Sequence, residues 1–386
     1  MPEPIIHHNI ESVASMFDLR ADFKESRPYG NGHINDTYLA RCDQAGLQTR
    51  FIIQRINHRV FKDPVSLMEN VSRVTTHALK TLLRGNHPEA HRRTLTCIPA
   101  EDGKPYAQDE DGNFWRVYPF IERARGYDEL TCDKQAYQAA RAFGRFQQLA
   151  ASLGGKRLHE TIPDFHNTPK RLEALQRAVA EDPHGRAAEV AAEIDFALER
   201  ADDCPRITDL IAAGEIPERV THNDTKINNV LLDEVTSAAI CVIDLDTTMP
   251  GCALYDFGDM VRSCAPTTRE DETRLDRMGI QLSRFEALAR GYLSEARFLV
   301  PREIENLAFS GKLITLECGM RFLTDYLLGD PYFKIRHPRH NLDRCRNQFA
   351  FVRVIEKHLG TLEGIVERCT GDSQRALATA DDDHEG

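Results

Sequence analysis

Residues 221–229 read Thr-His-Asn-Asp-Thr-Lys-Ile-Asn-Asn and run into the apolar Val230-Leu231-Leu232. The deciding pair is Asp224 and the Asn229 that follows it. Phosphoryl transfer asks a protein mainly to position groups and to stabilise charge. An Asp can orient a substrate hydroxyl and take its proton; an Asn at this spacing can hold a metal ion through its amide oxygen. Lys226, between them, can neutralise the transferring phosphoryl group. His222 reads as a structural hydrogen-bonding residue of the loop. A plain polar turn is the competing reading, because Asn and Asp favour turns.

Downstream, Ala239-Ile240-Cys241-Val242-Ile243 ends in Asp244-Leu245-Asp246. An apolar strand, a turn and a second apolar strand can bring Asn229 and Asp244 to one Mg²⁺, with Asp246 as a further contact. Asp256-Phe257-Gly258 spells a metal-binding tripeptide, yet Met249-Pro250-Gly251 before it reads as a loop. Asp256 also lies too far from Asp224 for a tight hairpin. Asp244 is therefore expected to be the ligand. Asp256 and Asp259 are expected to hold the loop and a helix start in place.

Composition sets the limits. The chain has 386 residues, 49 basic and 60 acidic, for a net charge of −11. That charge argues against a nucleic-acid backbone or an anionic membrane as the main partner. No basic stretch followed by an apolar core opens the chain, and no uncharged apolar run reaches the roughly 18–20 residues of a membrane span. The ten cysteines form no CxxC pair, as expected of reduced thiols in a cytoplasmic protein. The sequence gives no oligomeric state, and a monomer is the default.

The element pattern is α+β. Residues 1–20 read as a leading helix and 22–56 as strands with a Gly/Asn-rich turn at 30–36. Asp63-Pro64 opens a helix carrying Leu67, Val71, Val74, Ala78 and Leu82 at helical spacing. Strands return over 94–120. Helices are expected at 134–153, 185–202, 254–264, 269–297, 301–328 and 341–365. This order suits a bilobal, protein-kinase-like fold. Residues 1–120 are the nucleotide-binding lobe, 121–368 the catalytic and acceptor-binding lobe, and 369–386 an acidic, unstructured tail. The lobes meet at a hinge over Tyr118, Pro119, Phe120 and Ile121.

Other candidates are less sharply marked. Gly30 and Gly32 could let backbone N–H groups approach phosphates, although a hairpin turn would use them equally well. His33, Asn35 and Asp36 in that loop could reach the substrate or the γ-phosphate. The strand at 51–56 offers Gln54 and Arg55 where a nucleotide-clamping Lys would stand, with Glu69 as the partner on the next helix. Glu317, Arg321 and Asp325 share a face at i, i+4 spacing, beside Tyr326. A salt-bridge ladder is the plain reading, but the helix is apolar nearly all round. Buried charges need partners or a ligand.

Six segments carry a resemblance: YGNGHINDTYLA (29–40), FIIQRINHRVFKDPVSLMENV (51–71), FWRVYPFI (114–121), THNDTKINNVLLD (221–233), VIDLDTTMPGCALYDFGDMVRS (242–263) and GMRFLTDYLLGDPYFKIRHPRHNLDRC (319–345). Through them the chain resembles the aminoglycoside phosphotransferase/choline kinase-like superfamily. The resemblance implies ATP and Mg²⁺, Asp224 as general base, and Asn229 and Asp244 as metal ligands. Its narrower segments imply phosphorylation of the anomeric hydroxyl of an N-acetylhexosamine, with Arg321 and Asp36 at the sugar. Another small acceptor, such as a different sugar, choline, homoserine or an aminoglycoside, is the alternative. A nucleotide-binding pseudokinase is a third reading, which the absent strand Lys permits and the Asp224/Asn229/Asp244 set opposes.

Overall fold

The computed structural model describes residues 8–30 and 34–382, with side chains to 375. The chain divides into two units. One comprises residues 1–124, 153–162 and 241–248; the other takes 125–152, 163–240 and 249–386.

The first unit is built on an antiparallel sheet. Its strands are β1 (Asp22–Pro28), β2 (Asp36–Gln44), β3 (Leu47–Ile56), β4 (Ala107–Gln108) and β5 (Phe114–Pro119), in the order β1-β2-β3-β5-β4. Burial runs through consecutive residues, Leu39 and Ala40 in β2 and Trp115 to Tyr118 in β5, so both faces of the sheet are covered there. The leading helix is shorter than expected: α1 covers Ile10–Ala14, and its Ile10, Val13 and Ala14 join the sheet core. Helix α2 (Pro64–Arg84) starts as the sequence indicates, Asp63 accepting from the Ser66 N–H at 3.0 Å ahead of Pro64. Its buried residues include Leu67, Val71, Val74, Ala78 and Leu82. A short α3 (Ala90–Arg93) follows.

The strands β6 (Ala124–Arg125) and β9 (Ala239–Val242) fall where the chain passes from one unit to the other. The second unit holds β7 (Arg219–Thr221), β8 (Val230–Asp233) and β10 (Met249–Gly251). Residues 249–251, expected as loop, form a strand antiparallel to β7, with Met249 opposite Thr221. A Cβ on Gly251 would lie 2.3 Å from Thr221 Oγ1, so only glycine permits this approach.

The rest of the second unit is helical: α4 (Asp133–Ala150), α5 (Thr168–Glu181), α6 (Ala191–Leu198), α7 (Arg206–Ala212), α8 (Ala253–Cys264), α9 (Leu282–Leu293), α10 (Pro301–Glu305), α11 (Leu307–Leu327) and α12 (His340–Asp382). The expected helix at 185–202 is broken by 3₁₀ turns on either side of α6, and that at 269–297 shrinks to α9. Helix α12 runs across most of the segment expected to be an unstructured tail, and residues 383–386 lie outside the described part.

Helix α11 is the centre of this unit, with most of its residues buried. Glycines mark its crossings. A Cβ on Gly258 of α8 would meet Ser310 O at 2.5 Å, and one on Gly319 would meet the Phe349 ring of α12 at 2.5 Å. Gly258 of the Asp-Phe-Gly tripeptide is thus a packing residue, and the tripeptide lies inside a buried helix. No helix among the described residues is long and apolar enough to cross a membrane.

Candidate functional site

The loop between β7 and β8 carries the central group of side chains. Its backbone is held from beneath by α8. Asp256 accepts from the N–H groups of His222 (2.9 Å) and Asn223 (2.7 Å), and from Gln147 Nε2 at 2.6 Å. Asp259 accepts from Thr225 N–H at 2.8 Å and pairs with Arg262 at 2.7 Å. Burial pushes the Asp256 carboxyl above its usual range. Both acids therefore have the scaffolding place expected of them. A buried carboxylate can persist because several N–H groups converge on it.

Above this scaffold, Asn223 sits in the left-handed region at φ 64°. Asn tolerates that conformation better than most residues, and the turn carries Asp224 out of the helix packing. The Asp224 carboxylate meets Lys226 Nζ at 2.7 Å. Asn229 Nδ2 donates to the Asp224 backbone carbonyl at 2.9 Å and to its carboxylate at 3.1 Å. Burial would raise the Asp224 carboxyl, but the Lys226 ammonium outweighs it and holds the group down at about 2. Asp224 in turn raises Lys226. With its N–H₂ spent on Asp224, Asn229 keeps its amide oxygen unoccupied by any hydrogen-bond donor among the described residues. Such an oxygen is a hard donor of the kind Mg²⁺ takes.

The first unit holds the segment 241–248. Asp244 is exposed and left-handed, at φ 58°. Asp246, expected as a further metal contact, is engaged by protein donors. It is buried, one oxygen pairs with Arg116, and the other accepts from Asn35 Nδ2 at 2.6 Å. Each oxygen thus has one protein donor. Arg116 itself is buried in the middle of β5, donates to Gln54 Oε1 at 3.1 Å and lies over the Tyr118 ring at 5.5 Å. Burial opposes its charge, but Asp246 more than compensates and raises it.

The clamp expected on β3 is corrected in the same unit. Arg55 does not meet Glu69. In the β2–β3 register it stands directly opposite Asp36, and its Nε donates to that carboxylate at 2.7 Å. Glu69 pairs with His159 at 2.8 Å, and Gln54 Nε2 donates to Thr37 at 2.9 Å. The buried cation of this sheet is Arg116, which sequence reasoning missed. Its signal was a charge inside the apolar run Phe-Trp-Arg-Val-Tyr. Asn35, beyond its bond to Asp246, accepts from the Asn57 N–H at 3.0 Å. Tyr118 is buried in β5, and Phe120 packs against Tyr29 and under Arg50. Gly30 is left-handed at φ 80°; Gly32 and His33 lie outside the described residues.

The residues of α11 separate by role. Asp325 accepts from the N–H groups of Tyr332 and Phe333, both at 2.9 Å, and from Asn341. The Tyr326 hydroxyl is bonded to Glu189. Both hold local structure, so neither presents its polar group to an acceptor as expected. Glu317 is buried between His166 and Thr168. Arg321 lies over the rings of Phe165 (5.1 Å) and Phe333 (5.6 Å) and makes no ion pair among the described residues. The salt-bridge ladder is absent among these three residues because each acid is taken by a partner from another element.

A sheet unit with one long helix, a mainly helical unit, and an Asp–Lys–Asn loop on a two-strand support define a kinase-like α+β phosphotransferase fold. The sequence profile of the phosphotransferase enzyme family matches residues 25–293, and the chain belongs to that family. Among solved structures, it is similar to an aminoglycoside phosphotransferase from Alicyclobacillus acidocaldarius subsp. acidocaldarius DSM 446. That match has 14% identity, covers 95% of this chain and 98% of that one, and has a TM-score of 0.60. It is also similar to a choline kinase from Cryptosporidium parvum Iowa II (13% identity, 92% and 96% covered, TM-score 0.51). A spectinomycin phosphotransferase crystallised with ADP and spectinomycin matches at 14% identity, 95% and 99% coverage and a TM-score of 0.50. At these identities the likeness is one of fold.

Proposed function

We propose that this chain is an ATP- and Mg²⁺-dependent small-molecule kinase that phosphorylates the anomeric hydroxyl of N-acetylhexosamines. The observation that carries the reading is the loop geometry: an ionised Asp224, held by Lys226 and Asn229, beside an amide oxygen open to a metal. Asp224 orients the acceptor hydroxyl and takes its proton. Anomeric hydroxyls are more acidic than ordinary alcohols, so a carboxylate of low basicity suffices. Lys226 offsets charge on the transferring phosphoryl group. By the family resemblance, Asn229 and Asp244 would each be a ligand to Mg²⁺, whose charge would offset that of the phosphates. Family membership supports phosphoryl transfer, and the ADP in the spectinomycin phosphotransferase crystal supports a nucleotide donor.

The acceptor rests on sequence. The segments around GHIND, QRIN and GMRFLTDYL resemble N-acetylhexosamine 1-kinase. Arg321, stacked on two rings with its N–H groups turned to no carboxylate among the described residues, supports a polar, hydroxyl-rich acceptor. Asp36 is already paired with Arg55, so its place at the sugar would be shared with that guanidinium.

The test is ADP release with Mg²⁺ and ATP over a panel of N-acetylglucosamine, N-acetylgalactosamine, glucose, galactose, choline and homoserine, with the product linkage read by phosphorus NMR. A sugar 1-phosphate from the acetamido sugars alone is expected. Turnover only with another acceptor keeps the loop chemistry and removes the sugar assignment. ADP release independent of every acceptor, or none at all, favours a nucleotide-binding regulator.

A further inference from the structure

The loop of residues 221–225 is held by a second device besides Asp256 and Asp259. His166, buried just before α5, places Nδ1 2.8 Å from Glu317 Oε1 and Nε2 3.2 Å from the carbonyl oxygen of Asn223. A carboxylate and a carbonyl can only accept. The other Glu317 oxygen already takes the Thr168 hydroxyl at 2.7 Å. A neutral imidazole has one N–H, so either tautomer would press a bare lone pair against an acceptor oxygen in a buried site. With Glu317 ionised, only the form with both nitrogens protonated satisfies both contacts.

On the far side of the same peptide, the Asp224 N–H donates to His222 Nδ1 at 3.3 Å. The peptide unit joining Asn223 to Asp224 is thus gripped at its oxygen by one histidine and at its nitrogen by another. The grip matters because Asn223 is left-handed, and a residue with φ near 64° relaxes unless its surroundings over-determine it. We propose that His166 is a positioning residue: a buried imidazolium, paired with Glu317, that fixes the Asn223 carbonyl and so aims the Asp224 side chain.

The other charged groups facing this site are Arg321 of α11, Arg171 of α5 and Asp256 of α8, and the Tyr255 and Phe165 rings cover the imidazole. Burial alone would raise the Glu317 carboxyl; the His166 charge, that bond and Arg321 bring it below the usual range. Independently of His166, the Arg321 guanidinium favours the ionised form of Glu317.

The catalytic consequence rests on the phosphoryl-transfer reading; the protonation state and the grip on the loop do not. The first measurement is long-range ¹H–¹⁵N correlation of the histidine rings in the full chain at neutral pH, assigned by loss of the signal in His166→Gln. Both His166 nitrogens in the protonated range are expected. One bare nitrogen overturns the proposal whatever the enzyme's acceptor. The second is hydrogen exchange at the Asp224 amide, expected to quicken by about tenfold or more in His166→Gln and in Glu317→Gln. Unchanged exchange in folded variants overturns the positioning role. Where turnover is measurable, kcat in His166→Gln should fall between about ten- and a hundredfold with KM for ATP little changed, as expected of a displaced reacting group. A rise in KM with unchanged kcat would count against it.

Discussion

Asn229 donates its side-chain amide to both the carbonyl (2.9 Å) and the carboxylate (3.1 Å) of Asp224. One residue thus fixes the direction of the Asp224 carboxylate and, by spending its N–H₂ there, leaves its oxygen without a donor among the described residues. The spacing of five residues is what allows this, because it closes one short turn between the two strands β7 and β8. Replacing Asp224 by Asn keeps the shape but removes the proton acceptor. We expect Asp224→Asn to lower kcat by several orders of magnitude while the Kd for ATP changes by no more than about threefold. Steady-state kinetics and nucleotide titration check both halves. Near-normal turnover would remove Asp224 from the base role.

Lys226 is expected to set the acid side of the pH profile. The Asp224 carboxyl lies at about 2, below its ordinary value of 3.8, because of the Lys226 charge. A depressed carboxyl contributes stability and activity above its unfolded value, lost as pH falls through the folded one. On Asp224's account the profile is flat from neutral pH into mildly acid solution. Lys226→Met removes the cause, so the acid limb of kcat/KM should move to higher pH. An unmoved limb would show that another group sets it.

Asp244 and Asp256 should separate by kind of defect. Asp244 is exposed on its turn, whereas Asp256 holds two backbone N–H groups of the loop. We expect Asp244→Ala to abolish Mg²⁺-dependent nucleotide binding with Tm nearly unchanged. Asp256→Ala strands buried donors, at about 1–3 kcal/mol for each, and should lower Tm sharply. Scanning calorimetry with Mg²⁺ titration distinguishes them. The reverse pattern would make the Asp-Phe-Gly tripeptide the metal site after all.

Arg116 and Asp246 form a buried pair whose halves cannot be lost singly without cost. Arg116→Met leaves the Asp246 carboxylate buried with only Asn35 and should destabilise the protein by about 3–5 kcal/mol. The double variant Arg116→Met/Asp246→Leu should recover much of that loss, because two apolar side chains can replace a buried ion pair. Chemical denaturation of the two single variants and the double one gives the coupling.

Gly258 tests the packing of α8 on α11. A Cβ there would sit 2.5 Å from Ser310 O and 2.7 Å from the Ile314 side chain. Gly258→Ala should cost about 1–3 kcal/mol through forced separation of two helices. Helix propensity alone would predict a gain of roughly 1 kcal/mol, so the sign decides between the two.

What the sequence determined by itself was local. The Asp224–Asn229 spacing, the Asp63-Pro64 helix start and the strand pattern over 22–56 each depend on a few consecutive residues, and the backbone leaves those few outcomes. The family resemblance extended that reading along the chain. What tertiary structure decided was which distant partner each charge takes. Arg116 meets Asp246 across 130 positions, and His166 meets Glu317 across 151. Arg55 and Glu69, on a strand and the helix after it, each pair elsewhere. Periodicity places a side chain on a face, but many acids and bases share such faces. Only the closing of the sheet in one unit and of the helices around α11 in the other desolvates a charge and so determines which single partner it must have.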